Sequence, residues 1–502
     1  MSGDWQQAVI DFLGRPDSHG GAAVKRIDTH AASVFLAGDR ALKIKRAVKF
    51  PFLDFSTLEK RKAACEAELE VNKPFAPAIY RRVAAITRAD GGLAIDGGGE
   101  PVEWAVEMRR FDESQTLDRL ADAIDDTLAD ALGRAVAKAH AAAPRGAGFA
   151  DELDAIVAQN DAELRAVPAL FPTAHVIALS GATRTALRRA RALLEDRERR
   201  GFVRRCHGDL HLGNIALIDG APVLFDAIEF DDRIATADVV YDLAFLLMDL
   251  IERGLNRAAN IVFNRYLTAT RHEDNLDALA LLPLFLSVRA AIRAKVTAAR
   301  AERSGDAAEA EQDARGYFAL ARQLIAPVKP RLIAIGGLSG TGKSVLARAL
   351  APDIGPAPGA VVLRSDVERK ALLGAEESER LPASAYTPAL TARVYAAIAD
   401  QARRVLTAGH SAIADAVFAD PRERAAIRQA AGASAFAGLF LTAATALRLA
   451  RVGGRSGDAS DATAEVARAQ EQYDLGALDW TLVDASATPQ DTLEKAREVL
   501  RP

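Results

Sequence analysis

The sequence has few of the residues from which disulfide scaffolds and membrane segments are built. Only two of its 502 residues are cysteines, Cys65 and Cys206, which excludes a disulfide framework and a Cys-x-x-Cys metal pair. The longest apolar run, residues 278–288, contains a proline and stops at Arg289, whereas about 20 apolar residues are needed to span a bilayer. The N-terminus has no basic stretch followed by an apolar one, so no secretory signal is indicated. A cytoplasmic protein that does not enter membranes is therefore expected.

A large excess of charge is also absent. Lysine and arginine total 64 against 68 acidic residues, a net charge of −4, so nothing attracts the whole chain to nucleic acid or anionic lipid. A nucleic-acid partner is not expected, although a local basic cleft stays possible. Since one hydrophobic core rarely serves more than about 300 residues, the length predicts at least two domains.

Within the first 326 residues, the pattern of apolar and polar residues changes near residue 110. Before it, Thr29–Arg46 alternates apolar and polar residues around a Gly-Asp turn, and Ser56–Asn72 has helix-forming composition, so residues 1–110 are predicted as strands with one helix. After it, Leu117–Ala143 and Leu179–Arg200 are alanine-rich and predict helices, with a loop-and-strand insert at Arg204–Asp232.

A proline-flanked connector at residues 326–330 precedes a different pattern. In residues 331–502, predicted strands rich in β-branched residues alternate with predicted helices, which is typical of a parallel sheet with crossover helices. The predicted architecture is therefore multidomain α/β: an N-lobe at 1–110, a helical C-lobe at 111–326 and an α/β domain at 331–502.

Gly337–Ser344 reads GLSGTGKS and matches the phosphate-binding motif G-x-x-x-x-G-K-[ST], or Walker A, between a strand and a helix. Its glycines let successive backbone N–H groups face one anion, Lys343 reaches the β- and γ-phosphates, and Ser344 ligates Mg²⁺. ATP and Mg²⁺ are therefore expected here. The nucleotide-binding residues predicted from the motif are Gly337, Ser339, Gly340, Thr341, Gly342, Lys343 and Ser344.

The sequence after this loop resembles the small-molecule kinases among P-loop proteins, namely gluconate, shikimate and polynucleotide kinases and zeta toxins. The resemblance implies that Asp366, at a strand end, meets the acceptor hydroxyl and that Asp415, in a Walker-B-like position, serves the metal. It also implies a lid that brings Arg448, Arg451 and Arg455 to the transferred phosphoryl group. The alternatives are helix N-caps for the two aspartates and a solvated helix face for the arginines.

A second motif, HGDLHLGN at His207–Asn214, resembles the catalytic loop of the aminoglycoside phosphotransferase and choline kinase group, whose fold is protein-kinase-like and bilobal α+β. In that chemistry Asp209 orients or deprotonates the acceptor hydroxyl, while Asn214 and Asp226 hold Mg²⁺ on the nucleotide. An Asp219-Gly220 turn between them predicts a hairpin that joins the two metal ligands. The alternatives are a capped turn or a metal-binding histidine pair.

The resemblance extends upstream. Lys43 on a strand would pair with the nucleotide phosphates, with Lys45 on the same face as the alternative, and Glu68 would be the partner of that lysine. Backbone near Met108 would face adenine. Glu229 competes with Asp226 for the metal, because counting back from residues 242–244 favours it, whereas counting from Asn214 favours Asp226.

Taken together, residues 22–300 and 331–485 resemble a bacterial family described as bifunctional, with an aminoglycoside-phosphotransferase-like domain fused to a P-loop kinase-like domain. The resemblance implies an ATP-dependent transferase with two nucleotide sites acting on hydroxyls of small molecules. Two alternatives stay open: a protein in which one domain uses nucleotide to control the other, and a kinase of nucleic-acid 5′-hydroxyl ends.

Overall fold

The computed structural model describes residues 3–50, 53–89, 91–271, 274–301, 307–454 and 459–501. The chain divides into two compact units, one of residues 1–155 and 194–249 and the other of residues 156–193 and 250–502. These units divide the chain at other positions than the predicted domains, and the predicted domain bounds stay a prediction.

The first unit begins with a six-stranded antiparallel sheet of order β1-β2-β3-β8-β6-β7. The predicted turn at Gly38-Asp39 joins β2 to β3, with Ala37 opposite Arg40. Thr57 caps the predicted helix by accepting the Lys60 N–H, as an N-cap threonine does. The elements are α1 (Gly3–Leu13), β1 (Val24–Asp28), β2 (Ala32–Ala37), β3 (Arg40–Lys45), β4 (Lys49–Phe50), β5 (Leu53–Asp54), α2 (Leu58–Asn72), β6 (Tyr80–Ala89), β7 (Gly92–Ile95) and β8 (Glu100–Arg109).

Both faces of this sheet are covered. One face buries Phe35 and Ile44 against Leu13 of α1, and the other buries Val106 against Cys65 of α2. Burial of apolar area on both faces fixes the register of β3, because a slip of one residue would exchange its two faces. The strand that carries Lys43 and Lys45 is therefore held in place.

Helices and a small hairpin follow. The helix predicted over residues 117–143 begins only at Asp126, because Asp125 caps it by accepting the Leu128 N–H; the helix predicted over 179–200 is longer than expected. The elements are α3 (Asp126–Ala142), α4 (Phe149–Arg165), α5 (Thr173–Arg199), β9 (Val203–Arg205), β10 (Ile215–Ile218), β11 (Ala221–Leu224), α6 (Asp232–Ala235), β12 (Thr236–Asp238), α7 (Val239–Glu252), α8 (Asn256–Thr270), α9 (Asp274–Asp277), α10 (Leu282–Ala301) and α11 (Ala307–Leu324).

The predicted parallel sheet is present in the second unit, with order β14-β15-β13-β16-β17 and every pairing parallel. Its core joins the strands to the flanking helices through buried aliphatic residues such as Ile335, Leu346 and Leu439. The elements are β13 (Arg331–Gly337), α12 (Lys343–Leu350), β14 (Val361–Arg364), α13 (Ser365–Leu372), α14 (Pro388–Thr407), β15 (Ala412–Asp415), α15 (Pro421–Ala430), β16 (Ala435–Thr442), α16 (Thr445–Gly453), α17 (Ala464–Ala469), β17 (Thr481–Asp484) and α18 (Pro489–Leu500).

Helix α8 completes the edge of this sheet. Asn264 accepts the Val362 N–H at 2.7 Å and donates to the Ala360 carbonyl oxygen at 3.1 Å, and buried Asn260 donates to the carbonyls of Pro358 and Ala360. Two asparagines thus satisfy backbone groups that an edge strand would otherwise leave unpaired, and these bonds join α8 to the sheet of the second compact unit.

One segment, Asp274–Ala301, is long and apolar enough to cross a membrane by length and composition. Of its most apolar window, 78% is buried inside the protein. It has the burial of a core helix.

Candidate active sites

The first centre is the kinase-like site in the first compact unit, built around the motif His207–Asn214. The hairpin β10–β11 brings its predicted metal ligands together. Asp219 and Gly220 have φ of 51° and 80°, the two consecutive positive values that a type I′ hairpin turn requires. Ile215 pairs with Leu224, and the Phe225 N–H donates to the Asn214 carbonyl oxygen at 3.0 Å. Asn214 and Asp226 therefore flank the open end of the hairpin, as predicted from the turn residues.

Asp209 is oriented by Asn214. The Asn214 side-chain amide donates to Oδ2 of Asp209 at 3.0 Å and to its carbonyl oxygen at 2.9 Å. The Asp209 side chain is 40% exposed, and Nε2 of His211 lies 3.4 Å from Oδ2. A fixed, accessible carboxylate of this kind can accept a proton from a hydroxyl.

Lys43 lies between two carboxylates. Its Nζ is 2.9 Å from Oε1 of Glu68 and 2.8 Å from Oδ1 of Asp226. Burial alone would lower the pKa of the Lys43 ammonium, but Asp226 and Glu68 outweigh burial and hold that pKa well above its usual value. The lysine therefore stays charged, as a phosphate-binding group must.

Lys45 and Glu229 form a second ion pair, which is more deeply buried than the pair of Lys43 and Asp226. Lys45 Nζ lies 2.5 Å from Oε2 of Glu68 and pairs with Oε1 of Glu229. The Glu229 side chain is 9% exposed, whereas the Asp226 side chain is 46% exposed. Of the two carboxylates that the sequence left in competition, Asp226 is the one that faces solvent.

The donor set of this centre suits a magnesium nucleotide. The Asn214 amide oxygen and the Asp226 carboxylate are the oxygen ligands that Mg²⁺ prefers, and Lys43 supplies the cation for phosphates. Met108 lies near the end of β8, opposite Ala41 of β3 and Tyr80 of β6; its role beside adenine stays a prediction.

Two buried aspartates on α7 hold the loop His207–Asn214 and were not predicted from the sequence. Asp242 accepts the Gly208 N–H at 2.8 Å and the His207 N–H at 3.3 Å, and lies 3.0 Å from Nε2 of His140. Asp249 accepts the Leu212 N–H at 2.9 Å. The available signal was two acids seven residues apart, on one face of an otherwise apolar helix, since buried carboxylates are expected to have partners.

The second centre is built on the phosphate-binding loop between β13 and α12. Gly337, Gly340 and Gly342 have φ of 135°, 88° and 95°, values that residues other than glycine rarely adopt. A Cβ on Gly340 would lie 2.4 Å from the Arg448 carbonyl oxygen, so the loop also needs glycine for its close approach to α16. Ser339 and Thr341 are buried within the loop.

The predicted metal ligands Ser344 and Asp415 both lie next to the guanidinium of Arg364. The Arg364 guanidinium places Nη2 3.3 Å from Oγ of Ser344 and Nε 3.5 Å from Oδ2 of Asp415. A hydroxyl and a carboxylate are oxygen donors, the type of ligand that Mg²⁺ prefers. Their fit to that metal follows from this donor set.

A cavity of about 400 Å³ opens beside the loop. Burial raises the pKa of Asp366, an effect that Arg364 opposes and Asp415 reinforces. The structure thus brings Asp366 and Asp415 to the phosphate-binding loop in one cavity. The charged side chains that line it, among the described residues, are Lys343, Asp366, Arg369, Asp415, Glu423 and Asp461.

The three predicted lid arginines have different surroundings. Arg448 is buried and donates to the Ser339 carbonyl oxygen at 3.1 Å, so it stabilises the backbone of the phosphate-binding loop. Arg451 donates to the carbonyls of Ala485 and Ala487 and is not among the residues that line the cavity. Arg455 lies outside the described residues.

Gln470 also contacts the loop and was missed from the sequence. Its Oε1 accepts the Ser339 N–H at 2.7 Å, so side chains from two segments hold both backbone groups of Ser339. A glutamine in a helical segment 131 residues away in the chain carries no local signal for such a contact.

Comparison with known proteins matches two family models to this chain. A family model described as "Phosphotransferase enzyme family" matches residues 42–282, and one described as "AAA domain" matches residues 332–474. Two curated relatives, "Uncharacterized protein Rv2004c" of Mycobacterium tuberculosis and "Uncharacterized protein Mb2027c" of Mycobacterium bovis, are each 33% identical over 468 residues. That alignment covers 89% of this chain and 90% of theirs.

The chain belongs to the family of these mycobacterial proteins and carries a kinase-like phosphotransferase domain followed by a P-loop kinase-like domain. This confirms the family and the fold class predicted from the sequence.

Solved structures with partial similarity are small-molecule kinases. A choline/ethanolamine kinase family protein from Mesorhizobium loti has 15% identity, covering 64% of this chain and 94% of its own, with a TM-score of 0.41. The APS kinase CysC of Mycobacterium tuberculosis, in complex with AMPPNP and APS, has 20% identity, covering 35% of this chain and 97% of its own, with a TM-score of 0.26. With scores this low, the assignment depends on the family models and the relatives.

Proposed function

We propose that the protein is an ATP-dependent phosphotransferase with two nucleotide centres, each transferring a γ-phosphoryl group to a hydroxyl of a small molecule. The observation that carries the proposal is the convergence of Asp209, Asn214, Asp226 and Lys43 in the first unit. These are the groups that phosphoryl transfer needs: one to orient the acceptor, two for the metal and one for the phosphates. A cytoplasmic location is part of the proposal.

In the first centre the protein contributes position and charge. Asn214 and Asp226 would hold Mg²⁺, which neutralises charge on the nucleotide phosphates when bound. Lys43, kept charged by its carboxylate neighbours, would bind those phosphates. Asp209, fixed by the Asn214 amide, would accept the proton that the acceptor hydroxyl loses as its oxygen attacks phosphorus.

In the second centre the glycine-rich loop and Lys343 would hold the phosphates, while Ser344 and Asp415 would hold the metal. Asp366, half-buried in the cavity wall, would receive the acceptor hydroxyl. The cavity volume of about 400 Å³ suits a small molecule. Its described lining has four carboxylates and two cations, a balance that does not favour a polyanion such as nucleic acid.

The test is transfer of labelled phosphate from ATP to pooled acceptors by the purified full-length chain. The pools are sugars, amino alcohols, aminoglycosides and 5′-hydroxyl oligonucleotides. Asp209→Asn and Lys343→Ala assign each product to a centre, since each variant should remove the products of one centre only. Phosphorylated oligonucleotide as the sole product would overturn the small-molecule assignment, and ATP hydrolysis without transfer in every pool would overturn the proposed transfer.

A further inference from the structure

Glu68 divides its carboxylate between two lysines. Oε1 lies 2.9 Å from Nζ of Lys43, and Oε2 lies 2.5 Å from Nζ of Lys45. The two lysines are two residues apart on β3, so both side chains leave the same face of the sheet. A single kinase lysine–glutamate pair needs only one of them.

The two lysines differ in what else surrounds them. Lys43 also contacts Asp226, whose side chain is 46% exposed, so this outer pair faces the cleft. Lys45 also contacts Glu229 and is 3% exposed, and its ammonium lies 5.5 Å from the centroid of the Phe55 ring. The inner pair is therefore closed to solvent.

This geometry limits how far Glu68 can neutralise Lys43. A carboxylate that is free to turn would present both oxygens to one ammonium and mask its charge from an incoming phosphate. Because Lys45 holds Oε2, only Oε1 remains for Lys43. Lys45 in turn keeps its place because Glu229 compensates its charge in a site where an unpaired charge would be costly.

We propose that Lys45 is a positioning residue of the first nucleotide centre, and that Glu229 serves as its counter-ion rather than as a ligand to the metal. The inner pair fixes Glu68 so that the Lys43 ammonium stays directed at the nucleotide phosphates. This inference rests on the proposed function of that centre.

The experiment uses the full-length chain carrying Lys343→Ala, so that only the first centre binds nucleotide. The variants are Lys45→Met, Glu229→Gln, the double variant of both, and Lys49→Met. Lys49, with a 73% exposed side chain, is a control for the same chemical change at the surface. Each protein is measured for unfolding by denaturant and for the dissociation constant of a nonhydrolysable ATP analogue with Mg²⁺.

Lys45→Met should lose stability, because Glu68 and Glu229 are left with one buried cation fewer. The double variant should regain much of that stability but still bind the analogue at least about tenfold more weakly, the usual cost of losing a residue that orients a binding group. Lys49→Met should match the parent in both measurements.

Recovery of nucleotide affinity together with stability in the double variant would overturn the positioning role. For the counter-ion role, Asp226→Asn is made in the same background, and analogue binding by it and by Glu229→Gln is titrated with Mg²⁺. A larger Mg²⁺ defect in Glu229→Gln than in Asp226→Asn would overturn the counter-ion role. No analogue binding by the Lys343→Ala parent would overturn the proposed function itself and this inference with it, so the failures are distinguishable.

Discussion

Asn214 donates its side-chain amide to the carboxylate of Asp209, five positions earlier in the same loop, at 3.0 Å. The Nδ2 atom of Asn214 orients the aspartate that is proposed to bind the acceptor, while its Oδ1 is the atom that the proposal assigns to the metal ion. The proposed base and the proposed metal site are therefore coupled by one side chain.

The first prediction is that Asp209→Asn abolishes transfer by the first centre with little change in ATP affinity. An amide keeps the shape but cannot accept the hydroxyl proton, a role worth about 10²–10⁴-fold in rate. The measurement is kcat and ATP affinity in the Lys343→Ala background of the full chain. Unchanged kcat would make Asp209 a capping residue of the loop.

The second prediction concerns the metal. Asp226→Ala should raise the Mg²⁺ concentration needed for nucleotide binding by about tenfold or more, because a direct ligand costs at least as much as the groups that orient it. Glu229→Ala should change stability more than Mg²⁺ dependence, since that carboxylate pairs with buried Lys45. Magnesium titration at fixed ATP, with circular dichroism as a folding check, separates them. The reverse order of Mg²⁺ defects would move the metal site to Glu229.

A third prediction addresses stability of the first unit. Arg197 and Asp238 form a fully buried bidentate ion pair, with Nε to Oδ2 at 2.6 Å and Nη2 to Oδ1 at 2.9 Å. Asp238→Ala should lower the free energy of unfolding by about 3–5 kcal/mol, because it leaves a guanidinium buried without its counter-ion.

The matched control for this pair is Asp196→Ala. The Asp196 carboxylate is 39% exposed and pairs with Arg199 and Arg200 at the surface, so its loss should cost less than about 1 kcal/mol. Denaturant unfolding of both variants gives the comparison. Equal losses would contradict the argument from burial.

The fourth prediction is a pH dependence of stability from His410. Burial lowers the pKa of this imidazole to about 4, against which its bond to the Gly359 carbonyl oxygen has the smaller effect. The folded state therefore takes up the proton later than the unfolded state, whose histidine has a pKa of about 6.5. Stability from this group is complete above that value and is lost as pH falls towards 4, by about 3 kcal/mol.

Replacing His410 by glutamine, which can still donate to Gly359, should flatten that loss. Unfolding free energies of wild type and His410→Gln at pH 7, 6, 5 and 4.5 provide the check. An equally steep decline in the variant would assign the acid sensitivity to other groups.

The sequence was sufficient where a short segment determines its own geometry. The Asp219-Gly220 turn fixed the hairpin between Asn214 and Asp226, and the phosphate-binding loop follows from its glycines. It was insufficient where the partner lies far along the chain. Asp226 and Glu229 are three residues apart, and what distinguishes them is their exposure and which lysine of β3 each contacts.

The same limit applies to residues that support the sites. Arg451 lies in the segment that resembles a lid, but its partners are carbonyls at residues 485 and 487, beyond any local pattern. In the sequence, Asp242 and Asp249 are simply two acidic residues in an apolar helix. Only the structure shows that they accept hydrogen bonds from backbone N–H groups of the loop.

The central claim, two nucleotide centres in one chain, is tested most directly by binding stoichiometry. Wild type should bind two equivalents of a nonhydrolysable ATP analogue with Mg²⁺, and Lys343→Ala and Lys43→Met should each bind one. One equivalent in wild type and none in Lys343→Ala would contradict the account, because the kinase-like constellation of the first unit would then bind no nucleotide.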